Sequence, residues 1–287
     1  FLKLEFAGYD TEIAYRVKTE VRPKQKDDSK GVIMSYIITE TNQQCLTITL
    51  NRTDKKNALT RDMYQEMANA ILGVKNDGST KVVVIKGAGD CFTAGNDIGD
   101  FAQQQDHAQV PETAAFMRAL AACNLPVIAQ VHGLAVGIGT TLLLHCDFVY
   151  ATPDTRFVLP FINLGLVPEY ASSYLLPKVA GHIKAAEWLM LGEPFTSADA
   201  YQFGILTKIV DAHEIDQTVQ TTVEKLVAKP SFSLKQTKAL LKGDGERTNQ
   251  QMNEEFDIFL EALGTTAAQE AFDAFLKKRP INPEKFK

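Results

Sequence analysis

The chain has 287 residues, 45% of them hydrophobic, which is enough apolar material for one large packed domain or somewhat more. Lys and Arg total 30 against 35 Asp and Glu, leaving a net charge of -5 with no long block of one sign, which argues against a nucleic-acid groove or attachment to an anionic membrane. Apolar runs such as Leu142 to Leu144 fall far short of the roughly 20 residues that cross a bilayer, and the scattered Cys45, Cys91, Cys123 and Cys146, with no CxxC spacing, predict reduced thiols with neither a disulfide nor a zinc site.

In chain order, residues 1–33 come first and mix short apolar pieces with the polar, aromatic-free RPKQKDDSK, so they read as an N-terminal extension or an appended remnant. Met34 is a natural start for the domain proper. From Ser35 strand and helix patterns alternate, the signature of an α/β domain. YIITE and LTITL bracket the turn-like TNQQ as a hairpin. RDMYQEMANAILGVKN then places Met63, Met67, Ile71 and Val74 on one helical face, and the buried-strand run VVVIK follows. A second unit has a helix from about Glu112 to Ala122, the strand VIAQV after Pro126, a glycine-rich turn HGLAVGIG and an apolar helix TTLLLHC. DFVYAT adds a strand. Beyond Gly181 the pattern is mostly helical, with HIKAAEWLML, SADAYQFG, residues 215–228 and the long QMNEEFDIFLEALGTTAAQEAFDAFLKKR.

Two loops carry the functional signal, CFTAGNDIGDF after VVVIKG and HGLAVGIGTT after VIAQV. Each places glycines at the end of a predicted strand, where ligands of open α/β sheets sit and where the backbone must turn tightly or approach a ligand closely. Neither matches GxxxxGK[ST] or a GxGxxG opening a helix, which excludes the usual nucleotide-phosphate readings. An isolated loop of this kind is most often only a connection.

The two loops in this order, together with NRTDKKNAL upstream, resemble the crotonase (enoyl-CoA hydratase/isomerase) superfamily, from about Tyr36 through the C-terminal helices. The resemblance implies an α/β crotonase (ClpP-like) spiral of β-β-α units over residues 34–229. It further implies a C-terminal helical trimerisation region over 230–287, and a homotrimer or dimer of trimers. The implied ligand is an acyl-CoA thioester, with no cofactor beyond the coenzyme A of the substrate itself. The backbone N–H groups of Asn96 and Ile138, each after a loop glycine, are implied as an oxyanion hole. Such donors stabilise the enolate that forms when a thioester loses its α-proton, each contributing about 3 kcal/mol to the barrier. Lys56, Ala58, Ala94, Asn96, Ile98, Gly137, Phe161, Leu164 and Tyr170 are implied contacts to the acyl chain or CoA. The resemblance also puts Lys55, with Lys56, near the CoA phosphates, although by default both read as ordinary exposed lysines. On the last helix Phe272, Phe275 and Lys278 stand where the family often completes a neighbouring subunit's CoA site, although a helical stripe is more often core or interface.

Many family hydratases carry two glutamates, at the positions occupied here by Thr141 and Phe161. A single acid stands further on, Glu169 in PFINLGLVPEYASS, as in peroxisomal-type Δ3-Δ2-enoyl-CoA isomerases. The resemblance therefore implies an isomerase in which one carboxylate takes a proton from C2 and returns it at C4, acting in fatty-acid oxidation. The implied location is the cytoplasm, or a peroxisome-like compartment in a eukaryote, and not a secreted one. On the residues alone, Pro168 and Glu169 also suit the first turn of a helix, with the acid meeting the helix dipole. Related isomerases usually have glycine after this glutamate, where this chain has Tyr170, a bulky group able to narrow the acyl pocket or redirect the acid. Asp97 is expected to brace its loop, Asp147 to be structural, and His132 and His145 to serve core or loop roles because they lack metal-ligand spacing. Hydration or thioester hydrolysis, and an acyl-CoA-binding module without turnover, are the competing functions.

Overall fold

Segments rich in β-branched residues form the first two strands of the described chain, β1 (Ile37–Asn42) and β2 (Cys45–Leu50), paired antiparallel. Gln43 and Gln44 between them take φ of 47° and 62°, the positive angles of a two-residue hairpin turn whose twist matches the strands. The strands thus run into the segment TNQQ, leaving only its two glutamines as the turn. In the computed structural model the described residues are 35–75, 77–102 and 110–287. The extension read over residues 1–33 lies outside them.

β2 continues into a parallel ladder with β3 (Val82–Gly87), β4 (Val127–Val131), β6 (Phe148–Ala151) and β9 (Lys208–Ile209), completing a six-stranded sheet. Parallel strands are covered on both faces, which explains the unbroken apolar run VVVIK. Val83 and Ile85 join the main core with Met67 of α1 (Arg61–Val74) and Leu120 of α3 (Pro111–Ala121). Val82 and Val84 join a second cluster with Val219 and Val223 of α8 (Ile215–Val227).

A smaller sheet holds β5 (Leu134–Val136), β7 (Arg156–Val158) and β8 (Phe195–Thr196). β4 then β5, and β6 then β7, send one strand to each sheet in turn, and a Thr93–Ala135 bridge carries the smaller sheet toward the first glycine loop. Repetition of this step is the α/β spiral. β5 lies inside the stretch read as a glycine-rich turn, because three residues are too few to show strand alternation.

The remaining helices are α2 (Ile98–Ala102), α4 (Ile138–Thr141), α5 (Ser172–Ala180), α6 (His182–Leu191), α7 (Ser197–Gln202), α9 (Ser231–Leu241), α10 (Gly245–Leu263) and α11 (Thr266–Leu276). TTLLLHC is not one α-helix: α4 lasts a single turn and continues as a 3-10 turn over Leu142–His145. The long C-terminal pattern breaks in two at Gly264, after which the Thr265 side chain accepts a hydrogen bond from the Ala268 N–H and caps α11. α9 docks through Lys238, whose Nζ donates to the Leu125 carbonyl and to Asp147 Oδ2, both at 2.6 Å. Asp147 also accepts from the Val127 N–H at 2.7 Å, which gives it the structural role expected of it. No helix among the described residues is long and apolar enough to cross a membrane.

Candidate active site

The glycine loops are laced together by main-chain hydrogen bonds. Leu59 N–H donates to the Gly95 carbonyl and Asp97 N–H to the Leu59 carbonyl, at 2.8 and 2.9 Å. Thr93 exchanges bonds with the second loop, its N–H donating to Leu134 O at 3.0 Å and its carbonyl accepting from the Val136 N–H at 3.1 Å. Gly95 is required by this closeness: at φ 82° a Cβ would lie 2.7 Å from the Val136 carbonyl oxygen. Gly137 is required for a different reason. Its φ of 55° and ψ of -118° suit glycine alone, yet a Cβ there would meet nothing within 4 Å. The N–H groups of Asn96 and Ile138 follow these glycines, and neither has a loop or turn acceptor among the described residues. Ile138 is the first residue of α4, where no intrahelical acceptor exists.

Thr141, one turn along α4, ties this region to Glu169. Its hydroxyl donates to Glu169 Oε1 at 2.5 Å, inside the protein. Glu169 is only 8% exposed. Burial pushes its carboxyl from the ordinary 4.5 up to about 8, a rise opposed by the Thr141 hydroxyl and reinforced by the charge of Glu255 on α10. From the other side, the fully buried Tyr64 of α1 donates its hydroxyl to Asn96 Oδ1. Burial raises that phenol well above its ordinary value, and the nearby charge of Glu169 adds to the rise. The acid, the threonine, the phenol and the first loop thus form one cluster of polar groups within a largely apolar interior.

No helix starts at Pro168. Glu169 sits in an irregular segment, followed by Tyr170 and Ala171 at φ 63° and 56°, and α5 begins only at Ser172. The helix-start reading of Glu169 therefore fails. The left-handed conformation at position 170 also accounts for a preference for glycine there. Tyr170 turns away from open space: it is completely buried, donates its hydroxyl to the Met117 carbonyl at 2.9 Å, and stacks on His145 with ring centroids 3.9 Å apart. His145 Nε2 in turn bonds the Tyr170 carbonyl at 2.8 Å, and burial depresses the imidazole to about 3, which leaves it neutral. His145 therefore supports the acid-bearing turn from the core.

The upstream segment is fastened to the same loops. Lys56 is exposed, but its carbonyl accepts from the Ala94 N–H at 2.9 Å. Arg52 donates from Nη1 to the Ala58 carbonyl at 3.0 Å and to Asp97 Oδ2 at 2.6 Å, while Asp97 Oδ1 accepts from the Asp100 N–H. Asp97 is a brace, as expected. The fully buried Asn57 donates from Nδ2 to the carbonyls of Ala88 and Cys91. Phe161 is buried and Leu164 half-buried against the core, with Ile98 packed against that same core. Arg52, Asn57, Tyr64 and Thr141 were not singled out as site residues from the sequence. For Thr141 the signal existed, since it occupies the place of a family acid, but only coordinates reveal the carboxylate it meets. A concavity of about 680 Å³ lined by Lys208, His213, Gln217 and Thr221, among others, shares no residue with this site.

Comparison with known proteins follows the same line. The family described as "Enoyl-CoA hydratase/isomerase" matches residues 40–285. The 1,2-epoxyphenylacetyl-CoA isomerase of Escherichia coli is 30% identical over 256 residues, covering 86% of this chain and 97% of that protein. Enoyl-CoA delta isomerase 2 of Rattus norvegicus is 33% identical over 235 residues, covering 79% of this chain and 58% of that protein. Among solved structures, an enoyl-CoA hydratase/isomerase from Pseudoalteromonas atlantica superposes with a TM-score of 0.82 at 34% identity, covering 86% of this chain and 99% of that one.

Proposed function

The chain belongs to the enoyl-CoA hydratase/isomerase family, an acyl-CoA enzyme of crotonase fold, and from that premise we propose that it isomerises Δ3-enoyl-CoA to Δ2-enoyl-CoA. The observation that carries the reading is a buried carboxylate, Glu169, held by Thr141 one helical turn from Ile138. The other family acid position holds the apolar, buried Phe161.

In the proposed reaction, ionised Glu169 removes a proton from C2 of the 3-enoyl thioester. The electron pair moves onto the thioester oxygen, where the Asn96 and Ile138 N–H groups stabilise the dienolate. Protonated Glu169 then returns its proton to C4, and the double bond comes to rest between C2 and C3. No water is consumed, so a single acid-base group suffices. A carboxyl raised by burial to about 8 is a stronger proton acceptor than an exposed one and still ionises near neutrality. The Lys56 and Ala58 segment takes the CoA side, and Ala94, Ile98, Gly137, Phe161 and Leu164 shape the acyl side, whereas Tyr170, buried against His145 and Met117, acts on the turn of Glu169 from the core and does not line the acyl pocket. The chemistry needs no cofactor beyond the substrate's own CoA.

We place the reaction in fatty-acid oxidation. The four free cysteines support a reducing compartment, cytoplasmic in a bacterium or peroxisome-like in a eukaryote. Phe232, Leu240 and Leu241 on α9 are 76%, 81% and 82% exposed, which supports a homotrimer or dimer of trimers that covers them.

Paired assays test the reading: 3-hexenoyl-CoA followed by conjugation of the double bond, and crotonyl-CoA followed by hydration. Conjugation without hydration is the expected result. Hydration of crotonyl-CoA at a comparable rate would replace isomerisation with hydratase chemistry, and binding of both esters with turnover of neither would leave an acyl-CoA-binding module.

A further inference from the structure

α10 contributes a second buried acid to the neighbourhood of the base, one that the reaction above does not use. Glu255 is 5% exposed. Its Oε1 accepts from the Ser173 N–H at 2.9 Å and from the Ser173 hydroxyl. The N–H groups of Ala171 and Ser172 also face its carboxylate, while Oε2 makes no direct hydrogen bond among the described residues. These are the residues immediately after Glu169, and the turn they belong to is held in an unfavourable shape. Tyr170 and Ala171 are consecutive non-glycine residues in the left-handed region, a conformation that side chains other than glycine rarely adopt. Groups from other parts of the chain hold it there. His145 and Met117 grip Tyr170 from the core, and Glu255 grips Ser173 from α10.

We propose that Glu255 is a positioning residue, whose carboxylate clasps the Ala171–Ser173 main chain and so fixes the direction in which Glu169 enters the pocket. The proposal rests on Glu169 being the base. It gives the far end of the chain a function in the site: α10 begins 76 residues beyond Glu169 (245 minus 169) and brings the acid back to it. The clasp also has an electrostatic consequence. Groups facing Glu169 are Thr141 from α4, which favours its ionised form, Glu255 from α10, which disfavours it, and the phenols of Tyr64 from α1 and Tyr170 beside it. Removing the negative charge at position 255 therefore eases ionisation of Glu169, and its titration midpoint falls.

Three variants test this, each read by kcat and KM for 3-hexenoyl-CoA across pH and by carboxyl 13C NMR titration of Glu169, assigned by its loss in Glu169→Gln. Glu255→Gln keeps an acceptor for the Ser173 N–H but removes the charge. It should retain kcat within several-fold while the acid limb of kcat/KM and the NMR midpoint both move down by roughly half a unit or more. Glu255→Ala removes the clasp, and kcat should fall on the order of 10- to 100-fold with KM little changed. Adding Ala171→Gly to Glu255→Ala should recover part of that loss, because glycine adopts the left-handed turn without help. Wild-type kcat, limb and midpoint in both single variants would overturn the proposal. If the wild-type protein does not turn over 3-enoyl-CoA, the isomerase reading fails separately. The NMR midpoint and a crystal structure of Glu255→Ala then decide the positioning role: an unmoved midpoint and an unmoved Glu169 side chain overturn it, and a shift of either sustains it.

Discussion

Glu169 takes its properties from three contacts of different kinds: an apolar enclosure, one hydroxyl and one distant charge. Thr141 is the hydroxyl, and its hydrogen bond lowers the carboxyl's proton affinity against the rise imposed by burial. Thr141→Val should therefore raise the Glu169 midpoint further, by about one unit or more on the scale of a hydrogen bond to a charged group. The acid limb of kcat/KM should move to higher pH and activity at neutral pH should fall, and a limb that stays in place or moves down would contradict this. The same shift bears on stability. A carboxyl raised from 4.5 to about 8 keeps its proton in the folded chain where the unfolded chain has released it. Its favourable contribution is present below about pH 4.5 and is lost as pH rises through about 8, on the order of a few kcal/mol in all. Chemical denaturation across that window should show Glu169→Gln gaining on the wild type as pH rises. Parallel pH curves would mean that the folded-state carboxyl is not raised. That this acid mattered was legible in the sequence through its family position, but its surroundings were not. Thr141 is 28 residues away and Glu255 is 82 residues from Ser173, and nothing in local pattern brings either to the acid.

The elements around the acid explain which parts of the fold could be read in advance. Strands and helices long enough for their period to show, such as Val82–Gly87 and Arg61–Val74, lie within a residue or two of their sequence positions. β5, β7, β8 and β9 have two or three residues each and carry no period. α5 hides because Pro177 lies inside it and a left-handed residue, not a side-chain cap, precedes it. Gly137 shows what an element junction contributes to chemistry. It lies between β5 and α4, immediately before the Ile138 N–H proposed as an oxyanion donor, and a Cβ built on it would meet no atom within 4 Å. Gly137→Ala should thus cost stability only through backbone strain, roughly 1–3 kcal/mol. Its kcat should fall about 10²–10³-fold through loss of one oxyanion donor. Thermal unfolding beside kcat separates the two effects, and a variant with full activity would remove Ile138 from the proposed hole.

Across the whole molecule, the six-stranded sheet separates two apolar clusters, the larger on the side of α1 and α3 and the smaller under α8. α9 is pinned beside them by the ion pair of the buried Lys238 with the half-buried Asp147, at 2.6 Å. Breaking such a pair strands a buried charge, so Asp147→Ala should lower the unfolding free energy by roughly 3–5 kcal/mol. Because neither residue touches the acid or the glycine loops, kcat/KM of the folded variant should stay at the wild-type level, and urea unfolding alongside steady-state assay checks both halves. Family membership could be anticipated from two short loops, whereas the choice between isomerisation and hydration depends on how many carboxylates reach the bound thioester. One measurement addresses that choice most directly: conjugation of 3-hexenoyl-CoA by wild type and by Glu169→Gln, compared under identical conditions. The wild type should turn the substrate over, and the amide variant should lose kcat by about 10²–10⁴-fold, the usual contribution of a general acid-base group. Equal rates in the two proteins would contradict the account.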